Sequence, residues 1–277
     1  MKRFGFLSWA LWFGYAFLYV PILLLVIYSF NESRLVTVWG GFSTKWYGEL
    51  LRDDKLLGAA ALSLQVAAVT ATMSVVLGTL AGIALSRFGR FRGRTLFGGM
   101  ITAPLVMPDV IIGLSLLVLF VALEQLVGWP EGRGFTTIAI AHTTFAMAYV
   151  AVVIQSRLSG MDESLEEAAM DLGARPAKVF FVITLPIIAP AIVSGWLLAF
   201  TLSLDDVVIA SFVSGPGSTT LPMVVFSSVK FGISPEINAL ASLMMLIVST
   251  GIFIASLLLA RQDRQRARDE QMAIQGG

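Results

Sequence analysis

The sequence predicts an all-α polytopic membrane protein with six transmembrane helices. Three observations lead there. Of 277 residues, 57% are hydrophobic and the mean hydropathy is +0.83. Only 13% are Asp, Glu, Lys or Arg, against about 25% in an ordinary soluble domain. The charges are also clustered, so that uncharged stretches reach the roughly 20 apolar residues a membrane-spanning helix requires.

Taken in order, nothing charged lies between Arg3 and Glu32, which places the first span near residues 8–30. That run is far longer than the apolar region of about 7 to 15 residues in a signal peptide. It ends in Val26-Ile-Tyr-Ser-Phe30 without a small-residue cleavage site, so it reads as a retained span. The interval from Lys55 to Arg87 gives the second span, near 58–86. Arg94 to Glu124 holds only Asp109 and gives the third, near 97–122. Arg133 to Arg157 gives the fourth, near 135–155. Lys178 to Lys230 is interrupted only by Asp205 and Asp206 and is long enough for two spans. Ser214-Gly-Pro-Gly-Ser-Thr-Thr-Leu-Pro222 breaks any helix there, which leaves one span near 187–213 and a remnant, Met223 to Phe231, too short to cross. Glu236 to Arg261 gives the sixth, near 237–260.

Basic residues in short loops set orientation. With a cytoplasmic N-terminus, the inner segments hold Lys2, Arg3, Arg87, Arg90, Arg92, Arg94, Arg157, Arg175, Lys178 and the tail arginines Arg261, Arg264, Arg266 and Arg268. The outer loops hold fewer: Arg34, Lys45, Arg52, Lys55, Arg133 and Lys230. Both termini are therefore expected in the cytoplasm, with the inner arginines as anchors against anionic lipid. Residues 43–55, with Trp46 and Tyr47, are expected to lie at the outer interface as an amphipathic helix. The chain has no cysteine, so no disulfide or thiolate chemistry is available. Nineteen basic and eighteen acidic residues nearly cancel, and nothing points to nucleic acid. No internal repeat is visible. Since many transporters form their pathway from two related halves, a second subunit is expected.

The inner loop, residues 156–186, carries the most informative pattern. Ser164 with Glu167 three residues on suggests a capping box. Leu165, Ala168, Ala169 and Leu172 share one helical face, and Gly173 suits the position just past the helix. Pro176 suits the first turn of a second helix, 177–183.

These residues carry a family resemblance. Glu167-Ala168-Ala169, Gly173, then Ile183-x-Leu185-Pro186 after nine residues resembles the EAA loop of binding-protein-dependent ABC importer permeases at every defined position. Further segments resemble the polyamine branch of that family, nearest the putrescine-type second permease: Tyr28-Ser-Phe-Asn31, Val38-Trp39, Trp46-Tyr47, Ala103-Pro-Leu-Val-Met-Pro-Asp109, Leu202-Ser-Leu-Asp-Asp206 and Ser214-Gly-Pro216. Agreement covers most of residues 20–240. The resemblance implies a type I ABC importer permease fold in a bacterial inner membrane and alternating access. It implies as partners two ATP-binding subunits, a homologous second permease and a periplasmic polyamine-binding protein. It makes the Ser164–Leu172 helix a coupling helix seated in the ATPase, with Glu167, Ala168 and Ala169 at that contact and Gly173 at the bend.

Independently of the resemblance, acids in apolar spans need a reason, because an Asp at a helix centre costs about 2.5 to 3.5 kcal/mol on insertion scales. Asp109 follows Pro104 and Pro108, which favour a broken or kinked helix. A rise of about 1.5 Å per residue from Arg94 would carry it past the midplane toward the outer side, with Asp205 and Asp206 further out in span five. Trp196, Phe200, Ser203, Asp206 and Ala210 recur at helical spacing, so Asp206 is expected to share a face with two aromatic rings and a hydroxyl, Asp205 pointing elsewhere. Carboxylates beside aromatic faces suit an ammonium group. Asp109, Asp206, Asp205, Trp196 and Ser203 are thus candidate substrate-path residues, the competing reading being that the acids cap a turn or meet a partner subunit. His142 is expected to pack through hydrogen bonds. No metal-ligand spacing occurs and no cofactor is expected. No G-x-x-x-x-G-K-[ST] sequence occurs, so ATP hydrolysis is assigned to a separate subunit. A polytopic enzyme or an ion-coupled carrier of a cationic amine would leave the EAA loop without a role.

Overall fold

Small residues spaced four apart set the packing at the centre of this all-α chain. The computed structural model describes residues 2–35, 38–231, 235–250 and 253; among these, extended pairing is confined to one bridge, Asn31 with Phe42. The chain divides into two units, residues 55–227 and residues 1–54 with 228–277.

The larger unit runs through α3 (Asp54–Arg87), α4 (Arg94–Thr102), α5 (Asp109–Val127), α6 (Phe135–Ser159), α7 (Ser164–Asp171), α8 (Pro176–Val179), α9 (Leu185–Leu204) and α10 (Val208–Val213) to the start of α11 (Leu221–Phe231). Helix α6 is its core. Ile138, Val150, Ile154 and Leu158 on it are fully buried. Lipid is as apolar as leucine, so helices in a bilayer associate through close contact rather than hydrophobic exclusion. On α3, Thr70, Ser74, Gly78 and Gly82 supply that contact. A Cβ at Gly78 would lie 2.8 Å from Val150 Cβ and 2.9 Å from the Met147 carbonyl. Thr70 and Ser74 direct their hydroxyls to the carbonyls of Ala139 and Thr143, both at 3.5 Å. Gly195 on α9 also packs against Val150, where a Cβ would lie 3.3 Å from Cγ1.

Among the described residues, five helices are long and apolar enough to cross a membrane: Gly5–Ser29, Asp54–Arg87, Asp109–Val127, Phe135–Ser159 and Pro176–Leu204. Gly5–Ser29, Asp54–Arg87 and Phe135–Ser159 overlap the intervals read as spans one, two and four. Span three does not form one helix over 97–122. Helix α4 stops at Thr102, a 3₁₀ turn covers Ala103–Leu105, and α5 begins at Asp109, with Pro108 in extended geometry at ψ 137°. The two prolines withhold N–H donors, so the rise counted from Arg94 does not fix the depth of Asp109. Span five differs at both ends. The second loop helix merges into it through a π-helical stretch, Phe180–Thr184, just ahead of Pro186, and the helix then stops at Leu204 instead of running to 213. The break expected at 214–222 is present: α10 ends at Val213, Ser218 closes a turn on Gly215, and α11 starts at Leu221.

In the smaller unit, α1 (Lys2–Ser29) is apolar around its whole circumference and exposes Trp9, Trp12, Phe13 and Phe17. After it, Asn31 organises the loop, donating to the Val38 carbonyl at 2.8 Å and accepting from Gly40 N–H at 2.8 Å. Trp46, on α2 (Lys45–Leu50), is 2% exposed and donates Nε1–H to the Asn31 carbonyl at 2.6 Å. The Tyr47 hydroxyl meets Ser29 Oγ at 2.7 Å. Trp46 is therefore a buried anchor of this loop, its indole N–H finding a backbone partner inside the unit. The described part of the sixth span is an apolar helix, α12 (Pro235–Thr250). The end expected at residue 260 and the arginine tail lie outside the described residues.

Candidate coupling and pathway sites

Helix α7 projects with none of its residues fully buried. Glu167 and Ala168 are exposed, Ala169 is half-buried, and Leu172 is 90% exposed. The apolar face predicted for this loop is thus presented outward. Its C-terminus closes as foreseen: Gly173 N–H donates to the Met170 carbonyl at 2.8 Å and Ala174 N–H to Ala169 at 3.0 Å, with Gly173 at φ +84°. This is a Schellman motif with glycine in the left-handed position it requires. The N-terminus differs from expectation. Ser164 is the first helical residue, no capping box forms with Glu167, and Ser164 N–H donates instead to Asp162 Oδ1 at 3.0 Å. That backbone hydrogen bond holds the Asp162 carboxyl below its ordinary 3.8. An aspartate two residues upstream offers the same acceptor with a charge, which displaces the serine.

Arg87, at the end of α3, fixes α7 in place. Its Nη1 lies 2.7 Å from Glu163 Oε1 and its Nη2 donates to the Leu158 carbonyl at 3.3 Å. Its Nε lies 2.9 Å from Glu166 Oε2 as an ion-pair contact, with the N–H poorly aligned for a hydrogen bond. Thr184, in the π-helical stretch, donates its hydroxyl to Glu166 Oε1. Both Arg87 and Glu166 are largely buried, at 14% and 15% side-chain exposure. Beside them a cavity of about 530 Å³ opens between Leu80, Ile83, Met170 and Phe180. The expectation that Arg87 faces lipid is corrected: its guanidinium is spent on the loop helix.

The second constellation lies where span five breaks. His142 is buried on α6, with Nδ1 2.7 Å from Ser203 Oγ and Nε2 3.1 Å from Asp206 Oδ2. A neutral imidazole satisfies both contacts, Nε2–H donating to the carboxylate and Nδ1 accepting the hydroxyl. Asp206 also accepts the N–H groups of Ile209 at 3.3 Å and Ala210 at 2.8 Å. It therefore caps α10, and that competition with the main chain ends α9. The shared face expected for Trp196, Ser203 and Asp206 is interrupted at Leu204. Ser203 and Asp206 still come together, through His142. Trp196 is half-buried, stacked on Phe200 at 5.1 Å, and its Nε1 lies 3.2 Å from Thr72 Oγ1. Asp205 and Asp109 are exposed, the latter in the first turn of α5, where the helix dipole favours a carboxylate.

Sequence reasoning missed Glu163 and Glu166 as partners of Arg87, and Thr184 as a partner of Glu166. The one available signal was the three-residue spacing of Glu163 and Glu166, which places both on one side of α7.

Comparison with known proteins agrees with this geometry. Residues 74–268 match the model of the family described as the binding-protein-dependent transport system inner membrane component. The chain is 67% identical to the putrescine transport system permease protein PotI of Escherichia coli K12 over 263 residues, 95% of this chain and 94% of that one. It is 46% identical to the spermidine/putrescine transport system permease protein PotC of the same strain, over 89% and 90% of the two chains. The fold is shared with a crystal structure of a bacterial ABC transporter involved in import of the polysaccharide alginate, at TM-score 0.69 and 18% identity, covering 92% of this chain and 95% of that chain. With most of its length matched and the loop motif outward on α7, the chain belongs to the family of binding-protein-dependent transport system inner membrane components.

Proposed function

We propose that this permease carries a polyamine, putrescine foremost, across a bacterial inner membrane by alternating access. Both termini lie in the cytoplasm, ATP is hydrolysed by two separate subunits, and the route passes between this chain and a second, homologous permease. A periplasmic polyamine-binding protein delivers the substrate. The observation that carries the reading is α7: a capped helix bearing Glu167, Ala168 and Ala169, closed at Gly173, with none of its residues fully buried. An amphipathic helix so exposed is completed by another surface, and the ATPase supplies it. The 67% identity to a putrescine permease supports the substrate.

Asp109 and Asp205 are the acids free to meet an ammonium group from the side chain's open face, while Asp206, with Ser203 and His142, holds the break that shapes the route and Trp196 flanks it. An exposed carboxylate in an apolar span is costly against lipid, which favours a water-lined route or the partner permease as its neighbour. The test is uptake of labelled putrescine into proteoliposomes containing the full complex. Asp109→Asn and Asp205→Asn together should lower uptake about tenfold or more while the complex still co-purifies. Undiminished uptake would remove these acids from the pathway.

A further inference from the structure

The proposed coupling function leaves a mechanical question, because a helix with no fully buried residue has little packing through which to move the spans. Among the described residues, the polar contacts from α7 and its N-cap residue to the spans centre on two side chains, Arg87 and Glu166. Arg87 ends α3 and reaches Glu163 at the start of α7, Glu166 one turn on, and the Leu158 carbonyl at the end of α6. Glu166 in turn receives Thr184 from the π-helical stretch that opens span five. Four elements therefore meet at two side chains. Both are largely buried, so the pair is screened far less than a surface ion pair. The fork of an arginine suits this task, since it addresses two carboxylates and a carbonyl in fixed relative directions, which a lysine cannot. π-Helical turns also recur at functional sites, and this one is tied directly to the loop helix.

We infer that Arg87 is a positioning residue for coupling: with Glu166 and Thr184 it forms the rigid link through which displacement of α7 reaches spans two and five. The contact of Glu167 with the ATPase is a separate matter, since Glu167 is exposed while Glu166 is held by Arg87 and Thr184. The inference rests on the proposed role of α7. Loss of the link should leave subunits assembled and basal ATP hydrolysis intact, yet separate hydrolysis from the arrival of loaded binding protein.

The experiment uses the full complex in proteoliposomes with putrescine-loaded binding protein. It measures basal ATPase, stimulated ATPase and uptake, with co-purification as the assembly control. Arg87→Ala and Arg87→Lys should each lose stimulation and uptake by about tenfold or more, with basal rate and subunit recovery unchanged. The chain has no native cysteine, so Arg87→Cys with Glu166→Cys can be joined by a short reducible bis-thiosulfonate. Stimulation should return on joining and vanish on reduction, a response that a merely structural role would not give. Should Arg87→Ala fail to assemble, the joined pair decides alone. Wild-type stimulation with equal stimulation in Arg87→Ala, or a joined pair that stays unresponsive although assembled, overturns the inference. Absence of ATP-driven uptake in the wild-type complex overturns instead the functional reading beneath it.

Discussion

His142 Nε2 lies 3.1 Å from Asp206 Oδ2 across the gap between α6 and the end of span five, while its Nδ1 holds Ser203 at 2.7 Å. One imidazole thus bridges the last turn of α9 and the residue that caps α10. Buried polar groups of this kind are costly when left without partners, about 1 to 3 kcal/mol each. His142→Ala strands both Ser203 and Asp206 and should lower stability by roughly 2 kcal/mol or more. His142→Gln, which keeps a donor and an acceptor, should recover part of it. Thermal unfolding of the purified complex in detergent reads the difference, and equal midpoints for both variants would show the network to be energetically idle.

The α3–α6 contact makes a sharper steric prediction. A methyl at Gly78 would press on Val150 Cβ and the Met147 carbonyl at 2.8 and 2.9 Å, whereas one at Gly58 of the same helix meets nothing within 4 Å. Gly78→Ala should destabilise by about 1 to 3 kcal/mol, and Gly58→Ala should be neutral or stabilise by up to about 1 kcal/mol. Val150→Ala should rescue Gly78→Ala only in part, because the Cβ at position 150 and the Met147 carbonyl both remain. Unfolding midpoints of the single and double variants check this.

Gly173 is constrained by backbone conformation alone, with φ +84° and open space around it. Gly173→Ala should cost about 1 to 2 kcal/mol at the end of α7, and Gly173→Asn less, since asparagine tolerates the left-handed region. Stimulated ATPase should fall in the order glycine, asparagine, alanine. An equal loss in both variants would point to a contact with the ATPase surface rather than to the turn.

Trp46 is buried against the Asn31 carbonyl. Trp46→Ala should cost about 3 to 5 kcal/mol. Trp46→Phe, which keeps most of the volume but orphans one acceptor, should cost about 1 to 3 kcal/mol. Protease sensitivity of the 31–44 loop in intact vesicles provides the measurement, and equal sensitivity in both variants would contradict an anchoring role.

How far sequence reaches is clear from these sites. Charge-free intervals overlap the long helices read as spans one, two and four because a helix in lipid must satisfy its own backbone, so composition alone marks it. Gly173 and Pro176 were legible because their constraints are local to one or two residues. The breaks at 103–108 and 205–207 were less so. Prolines announced the first without its extent, and the second arises from an Asp206 side chain that competes with main-chain carbonyls, which periodicity does not register. Arg87 was misread because its partners lie 71 to 79 residues further on, at Leu158, Glu163 and Glu166. Among the inner-loop arginines nothing in one dimension marks it out.

The central claim, that the outward helix α7 couples this permease to a separate ATPase for polyamine import, is tested most directly by uptake into proteoliposomes containing this chain, the second permease, the ATP-binding subunits and loaded binding protein. The account predicts putrescine accumulation that requires internal ATP and binding protein, does not respond to an imposed proton gradient, and falls about tenfold or more in Glu167→Lys, with loss of the co-purifying ATP-binding subunit. Accumulation driven by the proton gradient without ATP, or undiminished ATP-driven uptake in Glu167→Lys, would contradict it.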